Sequence, residues 1–254
     1  MRMIEVRREM GAMRTIVISD IHGYARTFEA LLLHVNYDPA GDKLFLLGDY
    51  VDGGPASLQV IRQVQQLIQN PNVQALGGNH DDMFLNWLDR NDYRLFPYTL
   101  PKNGGRQTIR SFCSWYQSKE DDEAAREQII QDYEGEIQFL RGLPDYLEDE
   151  RHIYVHAGID PQQSNWKQTT RKDFRWIRGK FHHFQGKLPV AKTIIFGHEV
   201  CARLHQDEGN FTPWIKEQRI GIDGGIKFGK YLNALLINED GEYDWRGLSS
   251  RDAM

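Results

Sequence analysis

The sequence predicts an α/β fold with ligand-binding loops gathered at one end of its strands. Three observations lead there. Short apolar runs alternate with stretches of helical period over residues 14–76. Those runs end in aspartate, or in glycine followed by aspartate or asparagine. The chain has 254 residues, 40% hydrophobic and 26% charged, which is ordinary for a globular protein and long enough to bury a substantial core.

The elements follow in order. Residues 14–19, RTIVIS, are a β-branched run ending at Asp20 and read as a buried strand. Phe28, Leu31, Leu32 and Val35 then recur at helical spacing. Residues 44–47 are a second strand. After Pro55, read as a first-turn proline, Leu58, Ile61, Val64, Leu67 and Ile68 mark an amphipathic helix. Residues 73–76 are a third strand, completing a βαβαβ series. From about residue 83 to 143 the pattern turns helical and polar, and the charge-dense KEDDEAAREQIIQDYEGEIQFL reads as solvated helix faces. Strands return at residues 152–156, 193–196, 218–222 and 231–237. There is no internal repeat or low-complexity linker. Residues 14–254 are therefore expected to form one domain with a helical insertion at about 83–143. Residues 1–13 are expected to be a flexible extension, or a misassigned start with Met13 as the true one.

Charge and composition exclude several functions. A net charge of −5 gives no support for wrapping a nucleic-acid duplex or docking on an anionic membrane. No apolar run approaches the ~18 residues of a membrane span. Cys113 and Cys201 are too few for a disulfide framework and suit a reducing compartment, so a cytoplasmic location is expected.

Polar residues mark the strand ends. The first strand ends in Asp20-Ile21-His22, the second in Gly48-Asp49-Tyr50-Val51-Asp52, the third in Gly77-Gly78-Asn79-His80-Asp81. Two later runs end in His156-Ala157-Gly158 and Gly197-His198. Ligands collect outside the carboxyl ends of strands in open α/β sheets. Carboxylate, imidazole and amide oxygen together favour Mn, Fe or Zn over calcium. The donors are too many for one tetrahedral ion, and there is no cysteine cage. Two ions ~3.5–4 Å apart that share a carboxylate use the set well and can drive metal-assisted hydrolysis.

The blocks DIHG, GDYVDGG, GNHD, VHAG and FGHE resemble, in order and approximate spacing, the signature of the calcineurin-like metallophosphoesterases. The similarity is nearest to the bacterial phosphoprotein-phosphatase (serine/threonine phosphatase) branch, which NGGRQTIRSF, DFRWIRGKF and IDGGIKFGKYLNALLI also resemble. The resemblance implies a β-sandwich of two mixed sheets flanked by helices. It implies Asp20 and His22 on a first metal, Asp49 bridging, and Asn79, His156 and His198 on a second. It implies His80 as general acid, oriented by Asp52, and a contact from Asn79 to substrate. The cofactor implied is a pair of divalent ions, Mn first, with Fe or Zn as alternatives. The activity implied is hydrolysis of phosphate monoesters, phosphoserine or phosphothreonine first, by attack of a metal-activated hydroxide. The partner is then a phosphoprotein or small phosphorylated substrate. A dinucleoside polyphosphate (diadenosine tetraphosphate) hydrolase is the alternative, and a non-catalytic scaffold the third reading.

One departure stands out. Many members of that branch carry arginines where this chain has Gly53 and Gly77. Arg178 is the expected substitute for contacting phosphate, with Lys102 and Arg106 behind it. Other motifs are declined. GGIKFGK has a P-loop's spacing, but Tyr231 follows it and a strand comes next, so it reads as a glycine-rich turn. His182-His183 reads as a packed or surface pair, and Trp87, Trp115, Trp166, Trp176 and Trp214 as anchors on the core.

Overall fold

The computed structural model describes residues 14–91 and 97–252, so the expectation for residues 1–13 lies outside the described residues. Among the described residues, ten strands form two five-stranded sheets. The first sheet contains β1 (Thr15–Ile18), β2 (Lys43–Leu46), β3 (Val73–Ala75), β9 (Tyr231–Ile237) and β10 (Tyr243–Ser249), in the order β10-β9-β1-β2-β3. The second contains β4 (Tyr146–Glu148), β5 (His152–Val155), β6 (Thr193–Phe196), β7 (Trp214–Lys216) and β8 (Arg219–Gly221), in the order β4-β5-β6-β8-β7. β1, β2 and β3 run parallel, as do β5, β6 and β8, and the outer partners run antiparallel. This is the mixed two-sheet sandwich expected, with helices on its flanks.

Residue alternation explains the layering. Along β1, Ile16 and Ile18 pack under helices while Val17 points between the sheets. Leu44 and Leu46 do the same around Phe45. In the second sheet Ile153 and Val155 face an outer layer, and Tyr154 faces inward. Side chains alternate faces along a strand, so strands apolar on both faces can be covered on both. Phe45 and Tyr154 stack across the sandwich with ring centroids 4.1 Å apart.

Helices α1 (Ala25–His34) and α2 (Ser57–Leu67) cover the first sheet together with α3 (Asn79–Leu88), α4 (Gly105–Phe112), α5 (Asp122–Asp132) and α6 (Glu134–Gly142). Phe84, Ile109, Ile129 and Leu140, from α3, α4, α5 and α6, share one core with Ile16 and Ile18. Short α7 (Arg171–Trp176), α8 (Gly179–His182) and α9 (Cys201–His205) flank the second sheet.

Several expectations are corrected. Pro55 precedes α2 rather than opening its first turn, because the helix starts at Ser57 with Ala56 as its cap. Trp87, Trp166 and Trp214 are buried anchors, but Trp115 and Trp176 are 44% and 39% exposed. His182, by contrast, is packed as expected, stacked on Phe196 at 5.1 Å.

Candidate metal centre

The parallel strands of both sheets deliver their carboxyl ends to one place. Asp20 and His22 follow β1, Asp49 and Asp52 follow β2, and Asn79 and His80 open α3 after β3. His156 follows β5 and His198 follows β6. Of nine non-glycine residues with positive φ among the described residues, five are in this set: Asp20 (56°), His22 (50°), Asp49 (55°), Asp52 (72°) and His198 (63°). Such backbone costs energy in most residues and gathers where function fixes a side chain.

All eight side chains converge. Asp49 lies in two groups of potential metal donors whose ligand atoms are mutually within 4.8 Å, one with Asp20 and His156, the other with His22 and His80. His22 Nε2 is 3.6 Å from Asp49 Oδ2 and 3.9 Å from Asp20 Oδ1. His156 Nε2 is 3.4 Å from Asp49 Oδ1 and 2.9 Å from Asn79 Oδ1. His198 Nδ1 is 2.6 Å from the same Asn79 oxygen, and its Nε2 is buried with no hydrogen-bond partner among the described residues.

The tautomers make the case for a cation. His22 Nδ1 lies 2.8 Å from the Val51 carbonyl, and His156 Nδ1 lies 2.8 Å from the Leu47 carbonyl. A carbonyl only accepts, so each Nδ1 carries the proton. Burial above all holds His22 well below its usual pKa and takes His156 down to about 3, so both rings are neutral. Each Nε2 therefore turns a lone pair toward carboxylate and amide oxygens, which are also acceptors. Burial, then Asp223, pushes Asp20 well above the usual carboxylate range. Burial, then Asp20 and Asp81, does the same to Asp49. Converging lone pairs and crowded buried carboxyls fit divalent cations, which would satisfy both.

A second constellation adjoins the first. His80 Nδ1 is 2.6 Å from Asp52 Oδ2. Asp52 is fully buried, and its other oxygen accepts hydrogen bonds from the Tyr98 hydroxyl and, at 2.7 Å, from Thr108. Burial pushes its carboxyl up to about 7, against the opposing pull of Lys227 and those two hydroxyls. His80 sits in the close-donor group, but Asp52 and Lys227 occupy its two nitrogens, the lysine Nζ at 2.8 Å from Nε2.

Other expectations fare less evenly. The Arg178 guanidinium pairs with Glu199, which also receives Arg203 at 3.2 Å. Its charge still reaches His80, His156 and His198 and lowers their proton affinity. Arg106 donates to the Thr99 carbonyl at 3.1 Å. Sequence reasoning missed two residues. Asp81 is buried and accepts from the backbone N–H of Gly78 (2.8 Å), Asp49 (2.9 Å) and Tyr50 (3.0 Å), tying two site loops together. Its signal was its place three residues into a helix, where a carboxylate commonly reaches back to the capping N–H. Lys227 lay inside the glycine-rich turn, and nothing local distinguished it.

The sequence matches the calcineurin-like phosphoesterase family over residues 13–212. A symmetrical bis(5'-nucleosyl)-tetraphosphatase of Yersinia pestis is 51% identical over 69 residues, covering 27% of this chain and 23% of that protein. Its counterpart in Yersinia pseudotuberculosis matches to the same extent. The match thus spans under a quarter of these relatives' length. Among solved structures, one provisionally described as a diadenosine tetraphosphatase superposes with a TM-score of 0.61 at 20% identity, over 95% of this chain and 96% of its own. A metallophosphoesterase of Sphaerobacter thermophilus gives 0.54 at 18% identity, over 93% and 89%. A cold-active protein-tyrosine phosphatase of Shewanella gives 0.55 at 19%, over 92% and 80%. At these identities the structural likeness is one of fold.

Proposed function

Because the chain belongs to the calcineurin-like phosphoesterase family, we propose that it hydrolyses phosphate esters at a two-metal site bridged by Asp49. The carrying observation is the His156 Nε2 lone pair, which faces Asn79 Oδ1 at 2.9 Å and Asp49 Oδ1 at 3.4 Å because its Nδ1 proton is committed to the Leu47 carbonyl. Asp20, His22 and Asp49 would hold one ion, and Asp49, Asn79, His156 and His198 the other. Mn is the first choice for this mixed donor set, with Fe or Zn behind it.

Bound there, such ions supply Lewis acidity at the phosphoryl group and lower the pKa of water toward neutrality. The chain supplies the rest. Asp52 accepts the Nδ1 proton of His80 and fixes the ring, and Tyr98 and Thr108 fix Asp52. That leaves Nε2 to protonate the departing oxygen. Burial and Lys227 keep His80 neutral before substrate arrives. An anionic ester beside the ring works the other way and favours the imidazolium that the step needs.

For the substrate we place dinucleoside polyphosphates ahead of phosphoserine and phosphothreonine, reversing the order the sequence suggested. The relatives that are 51% identical over 69 residues support this order. So does a groove of about 560 Å³ next in sequence to His198 and Lys227, where Phe211 and Phe228 lie with Arg203 and Lys230 on a lining that also holds Asp207 and Glu208. Aromatic faces beside cations suit a base and its phosphates. Cytoplasmic action is part of the same proposal; no described helix is long and apolar enough to cross a membrane.

The test is a panel of diadenosine tetraphosphate, phosphopeptides and p-nitrophenyl phosphate, with Mn added. The expected result is the highest kcat/KM on the dinucleotide. A phosphopeptide in first place would restore the earlier order. No hydrolysis of any member by metal-loaded protein would remove the phosphoesterase reading.

A further inference from the structure

We propose that Lys227 is the residue that grips the substrate's phosphoryl oxygens, with its side chain laid across Gly53. This rests on the phosphoesterase reading above. Gly53 has φ of 118°, and a Cβ built on it would lie 3.0 Å from Lys227 Cγ. The lysine stem thus runs over the space where another residue would carry a side chain. Its ammonium ends 2.8 Å from His80 Nε2, the nitrogen assigned to the leaving oxygen. Its charge acts on Asp52, Asp49, Asp223 and Asp20, yet the acceptor its ammonium meets among the described residues is His80 Nε2, since Nδ1 carries the proton given to Asp52.

The turn that carries it is well fixed. Asp223 Oδ1 accepts from the Gly225 N–H at 2.8 Å, Ile226 is buried, and left-handed glycines at 225 and 229 bracket the turn Ile226–Phe228. An ammonium held this way is a point charge that phosphate oxygens can take up by displacing the imidazole.

The nearby arginines are committed elsewhere. A Cβ on Gly77 would lie 2.5 Å from the Arg175 guanidinium nitrogens, so that cation fills the space at the second glycine. Arg175 is fully buried, however, and donates to Asp145 (2.9 Å), Asp82 (2.7 Å) and the Leu143 carbonyl (3.0 Å). Arg178 is paired with Glu199. Lys227 is the one of these three whose head group adjoins the catalytic pair.

The experiment titrates inorganic phosphate into metal-loaded wild type, Lys227→Met and Lys227→Arg by calorimetry, with metal content measured for each. Losing one charge-assisted contact should weaken phosphate binding on the order of ten- to a hundredfold in Lys227→Met. Two ions per chain should remain, and Lys227→Arg should stay within about threefold of wild type, since it keeps the charge. Wild-type affinity in Lys227→Met, with an active wild type, overturns the lysine's role and leaves the phosphoesterase reading standing. So does a loss that tracks missing metal rather than missing charge. A wild type that neither binds phosphate nor cleaves any ester overturns the underlying reading instead.

Discussion

His80 and Asp52 are separated by 2.6 Å, and that contact sets the first prediction. His80→Ala should cost about 10²–10⁴ in turnover on esters with poor leaving groups. It should cost much less on p-nitrophenyl phosphate, whose leaving group departs without a proton, and metal content should stay near wild type. Equal losses on both substrates would contradict the proton-donor role. At this scale the sequence was informative wherever a residue sat in a spaced block. All eight metal and acid–base candidates from Asp20 to His198 come together in space. It was uninformative where function depends on reach. Lys227 meets His80 across 147 positions of chain, which no local pattern encodes. Gly53→Arg, which on sequence grounds would restore a phosphate-binding cation, is not a sound design: the left-handed backbone strains any side chain, and Lys227 fills the space. Arg178→Ala should weaken phosphate less than Lys227→Met does in the same titration, because its guanidinium already faces Glu199.

At the scale of elements, the N-terminus of α3 organises the site. Its His80 N–H donates to Asp49 Oδ1 at 2.8 Å, while Asp81 gathers three backbone N–H groups from two loops. A buried donor left unpaired costs about 1–3 kcal/mol. Asp81→Ala should therefore destabilise the protein by about 3 kcal/mol or more, measured by urea unfolding of the metal-free chain. A change below about 1 kcal/mol would mean the loops hold themselves. The strands show a parallel contrast. All seven expected strands are present: six are inner strands, and the seventh, the edge strand β3, keeps Val73 and Ala75 buried. The three not foreseen, Tyr146–Glu148, Trp214–Lys216 and Tyr243–Ser249, are all edge strands. Such strands pair on one side and face water on another, so their sequences lack a buried run. Tyr243–Ser249 has no fully buried residue along its length.

At the scale of the molecule, two sheets pack so that loops from each complete one site. His198 N–H donates to both Asp20 oxygens, at 3.2 and 3.1 Å, and His156 Nδ1 donates to the Leu47 carbonyl, so the second sheet is docked on the first through the site itself. Metal should therefore stabilise the whole chain, and a chelator should lower its melting temperature. The pKa directions add a sign. Asp20 and Asp49 are raised by burial, so the metal-free protein retains protons at pH values where ordinary carboxyls, near 3.8, have lost them. Ions bind the ionised form, so uptake must expel those protons, and affinity must rise with pH through that range. The histidines contribute little above their lowered values, being neutral already. Calorimetry of Mn binding over a pH series, in buffers of different ionisation enthalpy, should show proton release that diminishes as pH rises; an uptake heat independent of buffer at every pH would contradict it.

The central claim is that Asp49 joins two ions, and the most direct measurement is metal content with and without its carboxylate. Elemental analysis of wild type loaded with Mn should give two ions per chain. Asp49→Ala, still folded by circular dichroism, should retain close to none, because both donor groups contain Asp49. Two ions retained in Asp49→Ala would contradict the account.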